Sequence, residues 1–158
     1  MVMTVTRITV EQWSLWRELR LQALEESPYA FSSTLAEWQG AGDQEQRWRL
    51  RLENVDFNAI ATLDDRNAGM VSGVLENGRV ELISMWVAPF ARGRKIGDAL
   101  VDSVVRWAEG MNITTVELRV KEHNLQAIAL YVRHGFKDVG IDNCDDNSEN
   151  LERLMVRN

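Results

Sequence analysis

The spacing of apolar residues changes along this chain, and each change marks an element. "TVTRITV" (4–10) has the β-branched content of a short strand. In "EQWSLWRELRLQALEES", Trp13, Trp16, Leu19, Ala23 and Leu24 recur at helical spacing. Thr9 with Gln12 makes a capping-box pair ahead of that helix, and Pro28 ends it. "YAFSS" reads as a loop, after which Thr34 and Glu37 predict a second helix running to about Leu52. The period then becomes strand-like in "FNAIATL" and "AGMVSGVLE", joined by the turn-like "DDRN". "ENGR" carries the Asn-Gly pair of tight hairpins and leads into the strand "VELISMWV".

Ile96 to about Gly110 predicts a helix, its apolar stripe made by Leu100, Val101, Val104, Val105, Trp107 and Ala108. "TTVELRV" alternates as a strand, and "NLQAIALYVRH" is a helix stopped by Gly135. "GFKDVGI" and "LERLMVR" supply the last two strands. The order is α+β, with a strand–loop–helix–strand unit in the middle. No repeat or linker divides it, so one domain over residues 1–158 is expected.

Composition narrows the function classes. Apolar residues make up 45% and charged residues 27%, ordinary for a globular protein. No signal peptide and no apolar run of bilayer length is present, which argues against a membrane partner. The formal net charge of −6 argues against non-specific nucleic-acid binding. It suits cationic substrates such as amines, and it equally suits solubility alone. The single cysteine, Cys144, excludes an intrachain disulfide and makes a cytoplasmic location the default. With only His123 and His134, no metal site is expected. The acidic "DNCDDNSEN" (142–150) lacks the mid-loop Gly and closing Glu of a calcium loop. It reads as a solvated loop, with Cys144 an incidental thiol.

The segment with most chemical content is "SMWVAPFARGRKIGDALVDSVVRWA" (84–108). A helix starting at Ile96 or Gly97 presents unpaired amides and partial positive charge. Gly93 and Gly97 allow close backbone approach, and Arg92, Arg94 and Lys95 add cations. Such a place suits a phosphate or pyrophosphate. The pattern is neither a P-loop nor a dinucleotide fingerprint. A basic loop that merely caps a helix is the alternative.

"VAPFARGRKIGDALV" resembles the acyl-CoA-binding motif of the GNAT superfamily of N-acetyltransferases. Val87, Pro89, Arg92 and Gly97 match it, and Lys95 stands where the family has its middle glycine. "NLQAIALYVRHGF" is similar to the family's second block, with Asn124, Ala127, Leu130, Tyr131, Gly135 and Phe136 in register. The resemblance covers about residues 57–139. It implies a central, mostly antiparallel twisted sheet of six to seven strands, splayed in the middle and flanked by about four helices. It implies acetyl-CoA as cofactor. The activity implied is acetyl transfer to a primary amine of a small molecule or peptide, within a ternary complex. A non-catalytic acyl-CoA sensor with the same fold is the alternative, and a homodimer is left open.

By the same resemblance, the cofactor lies along Met85, Trp86 and Val87 of the central strand, where a bulge is usual. It continues over Arg92, Gly93, Arg94, Lys95, Ile96, Gly97 and Asp98, with Asn124, Ala127 and Tyr131 on the facing helix. Lys95 costs on the order of 1 kcal/mol if its φ is positive, and its amide still donates if φ is negative.

Tyr131 is the candidate acid for the leaving thiolate, because a phenol near pKa 10 is neutral at pH 7. It shares a helix face with Asn124, about 10.5 Å away along the axis. A core tyrosine and a plain N-cap are the alternatives for these two residues. Glu81 is the candidate base: strand alternation groups it with Ile83, Met85 and Val87, among apolar neighbours that would raise its pKa. It also sits where histone-acetyltransferase-type relatives carry a catalytic glutamate. A solvated edge carboxylate is the alternative. Tyr29, Phe31 and Ser32 are the candidate acceptor contacts, with Trp13 and Trp38 as further walls.

Overall fold

The computed structural model describes residues 1–142 and 151–158, so Cys144 and nearly all of the acidic stretch lie outside the described residues. Seven strands form one sheet: β1 (Met3–Arg7), β2 (Phe57–Leu63), β3 (Arg66–Glu76), β4 (Arg79–Val87), β5 (Val116–Lys121), β6 (Lys137–Ile141) and β7 (Glu152–Arg157). Their spatial order is β1-β2-β3-β4-β5-β7-β6, and every neighbouring pair is antiparallel except β4–β5. The helices are α1 (Trp13–Glu26), the single turn α2 (Leu35–Trp38), α3 (Glu45–Asn54), α4 (Ile96–Gly110) and α5 (Leu125–Arg133).

Local signals explain most of these boundaries. Thr9 and Thr34 each open a helical turn in a reciprocal capping box, with Gln12 and Glu37 respectively. Asp64 and Asp65, then Asn77 and Gly78, take positive φ and turn the two hairpins. One expectation needs correction: the helix begun at Thr34 does not reach Leu52. Gln39 is extended, Gly40 sits at φ +57°, and Gly40–Gly42 forms a 3-10 turn before α3 starts at Glu45. "GAG" breaks the chain into two helices because glycine makes a left-handed turn cheap.

The two sheet faces bury separate clusters. On one, Ala59, Val71, Val80 and Leu82 pack beneath Leu100, Val101 and Val104 of α4. On the other, Ile60, Met70 and Trp86 pack against Trp16 and Leu19 of α1 and Trp48 and Leu52 of α3. Alternation along β4 breaks at Ser84, whose φ is +56°. Met70 pairs with Trp86 but Ser72 with Ile83, so two residues of β4 oppose one of β3. This bulge moves Met85 and Val87 onto the α4 face, leaving Glu81 and Ile83 on the α1–α3 face. The expected common face of Glu81, Met85 and Val87 is thereby corrected: uninterrupted alternation does not survive an inserted residue.

Candidate functional site: a cleft through the split sheet

Beyond the bulge the sheet opens. β4 and β5 pair only at Val80–Val116 and Glu81–Glu117 and then diverge. A cleft of about 1130 Å³ passes through the gap. Met85, Val87 and the start of α4 line one side of it, with Asn124, Ala127, Leu130 and Tyr131 of α5 opposite. On the α1–α3 side it continues along Ser27, Ala30, Phe31, Ile83, Ser84 and Arg119.

At the α4 start, the first helical bond runs from Ala99 N–H to the Lys95 carbonyl (3.2 Å), so the amides of Ile96, Gly97 and Asp98 precede it. Space at Gly97 is tight: a Cβ there would stand 3.1 Å from Leu130 Cδ2 and 3.4 Å from Met85 Cε, so Leu130 would have to give by a few tenths of an ångström. Lys95 is left-handed (φ +65°, ψ +18°), which resolves the question its sequence position raised. The lysine is therefore strained, and Lys95→Gly is expected to raise stability by about 1 kcal/mol in a urea melt. An unchanged or lower midpoint would show that the ammonium makes compensating contacts.

The basic loop is less free than its sequence suggests. Arg92 donates to Glu26 Oε2 (2.7 Å) and to the Val87 carbonyl (3.1 Å), and Trp86 Nε1 donates to the same Glu26 oxygen (3.0 Å). Hydrogen bonding from Arg92, aided by Ser27 and Trp86, holds the Glu26 carboxyl down at about 2 despite the opposing effect of burial. Trp86 lines the cleft although its ring belongs to the α1–α3 cluster. The Arg94 side chain reaches Met1 Sδ (3.9 Å) and is not part of the cleft lining. Asp98 receives His134 Nε2 (2.8 Å) and Arg133 (3.1 Å), which clamps the start of α4 to the end of α5. Burial opposes ionisation of Asp98, but these two partners outweigh it and hold the carboxyl below its usual range.

Tyr131 lines the cleft, is nearly fully buried, and meets Phe136 edge-on at 5.8 Å. Burial pushes its phenol well above the ordinary value, so it is a neutral proton donor. Asn124 is the N-cap of α5, its Oδ1 accepting from Ala127 N–H (3.3 Å), while it also lines the cleft.

Glu81 is placed differently from its expectation. Its carboxylate pairs with Arg119 rather than standing among apolar side chains, and Arg119 also binds Asp142 at 2.6 Å. It lines a smaller depression with Arg79 and Glu117, and it reaches the main cleft only through Arg119. Of the acceptor candidates, Phe31 lines the cleft, Tyr29 is 77% exposed, and Ser32 is exposed. Trp38 packs on Trp48 (4.5 Å) and Trp13 against the α1–α3 cluster; both are half-buried and neither lines the cleft. Ser84, Arg119 and Leu130 are cleft residues that the sequence did not single out. Of the three, only Leu130 had a visible signal, inside the second motif.

This architecture recurs in solved structures. A GNAT-family acetyltransferase from Streptococcus pneumoniae superposes with a TM-score of 0.78 at 18% identity, covering 99% of this chain and 98% of that one. PaiA N-acetyltransferase from Thermoplasma acidophilum, solved in complex with coenzyme A, gives 0.76 at 15% identity with 99% of both chains covered. A ribosomal-protein-alanine N-acetyltransferase from Brucella melitensis gives 0.74 at 21% identity with 98% of both covered. By sequence, a mycothiol acetyltransferase of Stackebrandtia nassauensis is 41% identical over 56 residues, which is 35% of this chain and 18% of that protein's length. The family profile described as "Acetyltransferase (GNAT) family" matches residues 13–136, most of the chain, and this protein belongs to that family.

Proposed function

We propose that the protein is an acetyl-CoA-dependent N-acetyltransferase that acetylates a primary amine by direct transfer while both substrates occupy the split sheet. One observation carries this reading: the amide-presenting start of α4, the opened edge of β4 and the Tyr131 side chain line the same cleft. The residues present fit the cofactor. Gly97 leaves a cradle that a Cβ would fill, and the amides of Ile96 and Gly97 with Lys95 nearby suit a diphosphate. Acetyl-CoA, when bound, supplies a thioester carbonyl and a thiolate leaving group.

The chain's own residues divide the remaining work. The edge of β4 at Met85–Val87, which β5 leaves uncovered, holds the cofactor arm and polarises the carbonyl through its backbone. Tyr131 Oη donates its proton to the departing sulfur. Asn124 fixes the start of α5, and with it the distance from helix start to phenol. Glu81 holds Arg119 in place instead of acting as the base. The amine's proton passes to water in the open cleft, where Asp98 is the one carboxylate among the described lining residues and is already engaged. A cytoplasmic location and a small-molecule or peptide amine acceptor accompany this reading.

The test measures free thiol release from acetyl-CoA with and without a panel of amines, together with thermal protection. Saturation at 100 times Kd should stabilise the fold by about 2.7 kcal/mol. Protection with amine-dependent release supports the proposal. Protection without release for any amine leaves an acyl-CoA-binding module, and no protection at millimolar acetyl-CoA rejects both.

A further inference from the structure

Behind the part of the cleft wall formed by Phe31 and Ser84 lie two guanidinium groups, Arg20 from α1 and Arg51 from α3. Arg51 donates to Asn58 Oδ1 (3.0 Å), Ser72 Oγ (3.1 Å) and Ser84 Oγ (3.1 Å), and lies over the Trp16 ring at 5.0 Å. Arg20 lies over the Phe31 ring at 4.6 Å. Only 9% of Arg20 is exposed, and its buried Nη1 has no hydrogen-bond partner among the described residues. Every contact named for these two cations is neutral, and no carboxylate pairs with either among the described residues.

The arginines that line the cleft itself differ. Arg92 is matched by Glu26, Arg119 by Glu81 and Asp142, and Arg133 by Asp98. Among the described residues, uncompensated positive charge therefore sits at two separate places: Lys95 at the start of α4, and the Arg20–Arg51 pair against Phe31 and Ser84. Burial pulls both guanidiniums down to about 10, and for Arg51 the neighbouring Arg20 adds to this; both remain protonated at neutral pH. An unpaired buried cation is costly, and a chain with a net charge of −6 had many carboxylates with which to compensate it. Leaving the pair unmatched makes sense where a ligand supplies the anion.

We infer that the acceptor is an amine that also carries a carboxylate, received at the Phe31–Ser84 end of the cleft by Arg20 Nη1 with Arg51 behind Ser84. Phe31, which covers the Arg20 guanidinium and lines the cleft, turns aside to admit it. This rests on the acetyltransferase reading and narrows its substrate class. The amine of such a molecule projects towards the sheet opening, where β4 and Tyr131 converge.

The experiment compares thiol release for matched pairs: glycine with glycinamide, leucine with leucinamide, and 4-aminobutyrate with butylamine. The α-amino amides have less basic amines than the free acids. Their larger neutral fraction favours them, so a preference for the acids cannot come from protonation. We expect kcat/KM to favour the acid at least tenfold in one or more pairs. Arg20→Met, or Ser84→Asp, which sets a carboxylate beside Arg51, should collapse that ratio towards one. Ser84→Asp is included because aspartate tolerates the left-handed backbone at this position and leaves both arginines in place. Neutral amines used as well as the acids in every pair would overturn the inference while leaving the transferase reading intact. A preference that persists in both variants would also overturn it. Release with no member of any pair would overturn this inference, while the transferase reading would stand or fall on the wider amine panel and acetyl-CoA protection.

Discussion

Replacing Tyr131 with Phe should lower kcat by about 100-fold or more, the usual contribution of a positioned general acid, with acetyl-CoA Kd close to wild type. The substitution keeps the ring that packs edge-on against Phe136 and removes only the hydroxyl. Stopped-time thiol assays and a calorimetric titration of acetyl-CoA separate the two quantities. The raised phenol pKa has a sign that can be checked. The protonated form is the active one, so activity dependent on it persists until pH exceeds the folded-state pKa, which lies above the ordinary value. Wild-type kcat should therefore show no decline attributable to Tyr131 up to about pH 10. Equal losses in kcat and affinity, or a falling limb near pH 9 that disappears in the Phe variant, would remove the tyrosine from the proton path.

The second large effect is expected at Gly69, outside both motif blocks in sequence but paired with Val87 of the first. A Cβ on this residue of β3 would stand 2.7 Å from the Trp86 carbonyl oxygen, 3.0 Å from Leu100 Cδ1 and 3.4 Å from Ile96 Cγ2. The first contact is backbone of β4 beside the bulge, and the other two belong to the opening of α4. The carbonyl cannot yield without separating β3 from β4, and the two side-chain ends would have to shift in a packed core. Gly69→Ala should cost about 1–3 kcal/mol, in the range for overpacking. It should also weaken acetyl-CoA binding, since the amides that hold the cofactor ride on the displaced turn. Urea midpoints and acetyl-CoA titration of the same preparation test this. Lost stability with full affinity would mean that strain is absorbed in β3 and never reaches the site.

Features that depend on neighbours in sequence were legible before the structure. Both capping boxes, the Asn-Gly hairpin, the 15-residue stripe of α4 and the two motif blocks needed only local spacing. Features that depend on tertiary pairing were not. The Ser84 bulge leaves no mark in "VELISMWV", because a strand with one inserted residue still alternates on either side of it. For the same reason alternation groups Glu81 with Met85 and Val87, which the bulge turns to the other face. Arg92 reads as a free cation until Glu26, 66 residues earlier, is found against it. Arg20 and Arg51 drew no reading from the sequence, since a helical stripe does not reveal which arginine folds inward. Gly40 and Gly42 were visible, but a capping signal upstream and apolar residues downstream suggested a continuous helix across them.

The position of β7 bears on how the molecule is built. It inserts between β5 and β6, both of which precede it in the chain, and pairs with β5 over all six residues from Val116 to Lys121. During synthesis β5 therefore waits with a bare backbone edge until Arg157 has been made, and β6 has nowhere to dock. An unpaired edge of that kind invites pairing between chains. Nascent molecules arrested before this last strand should be the ones that aggregate.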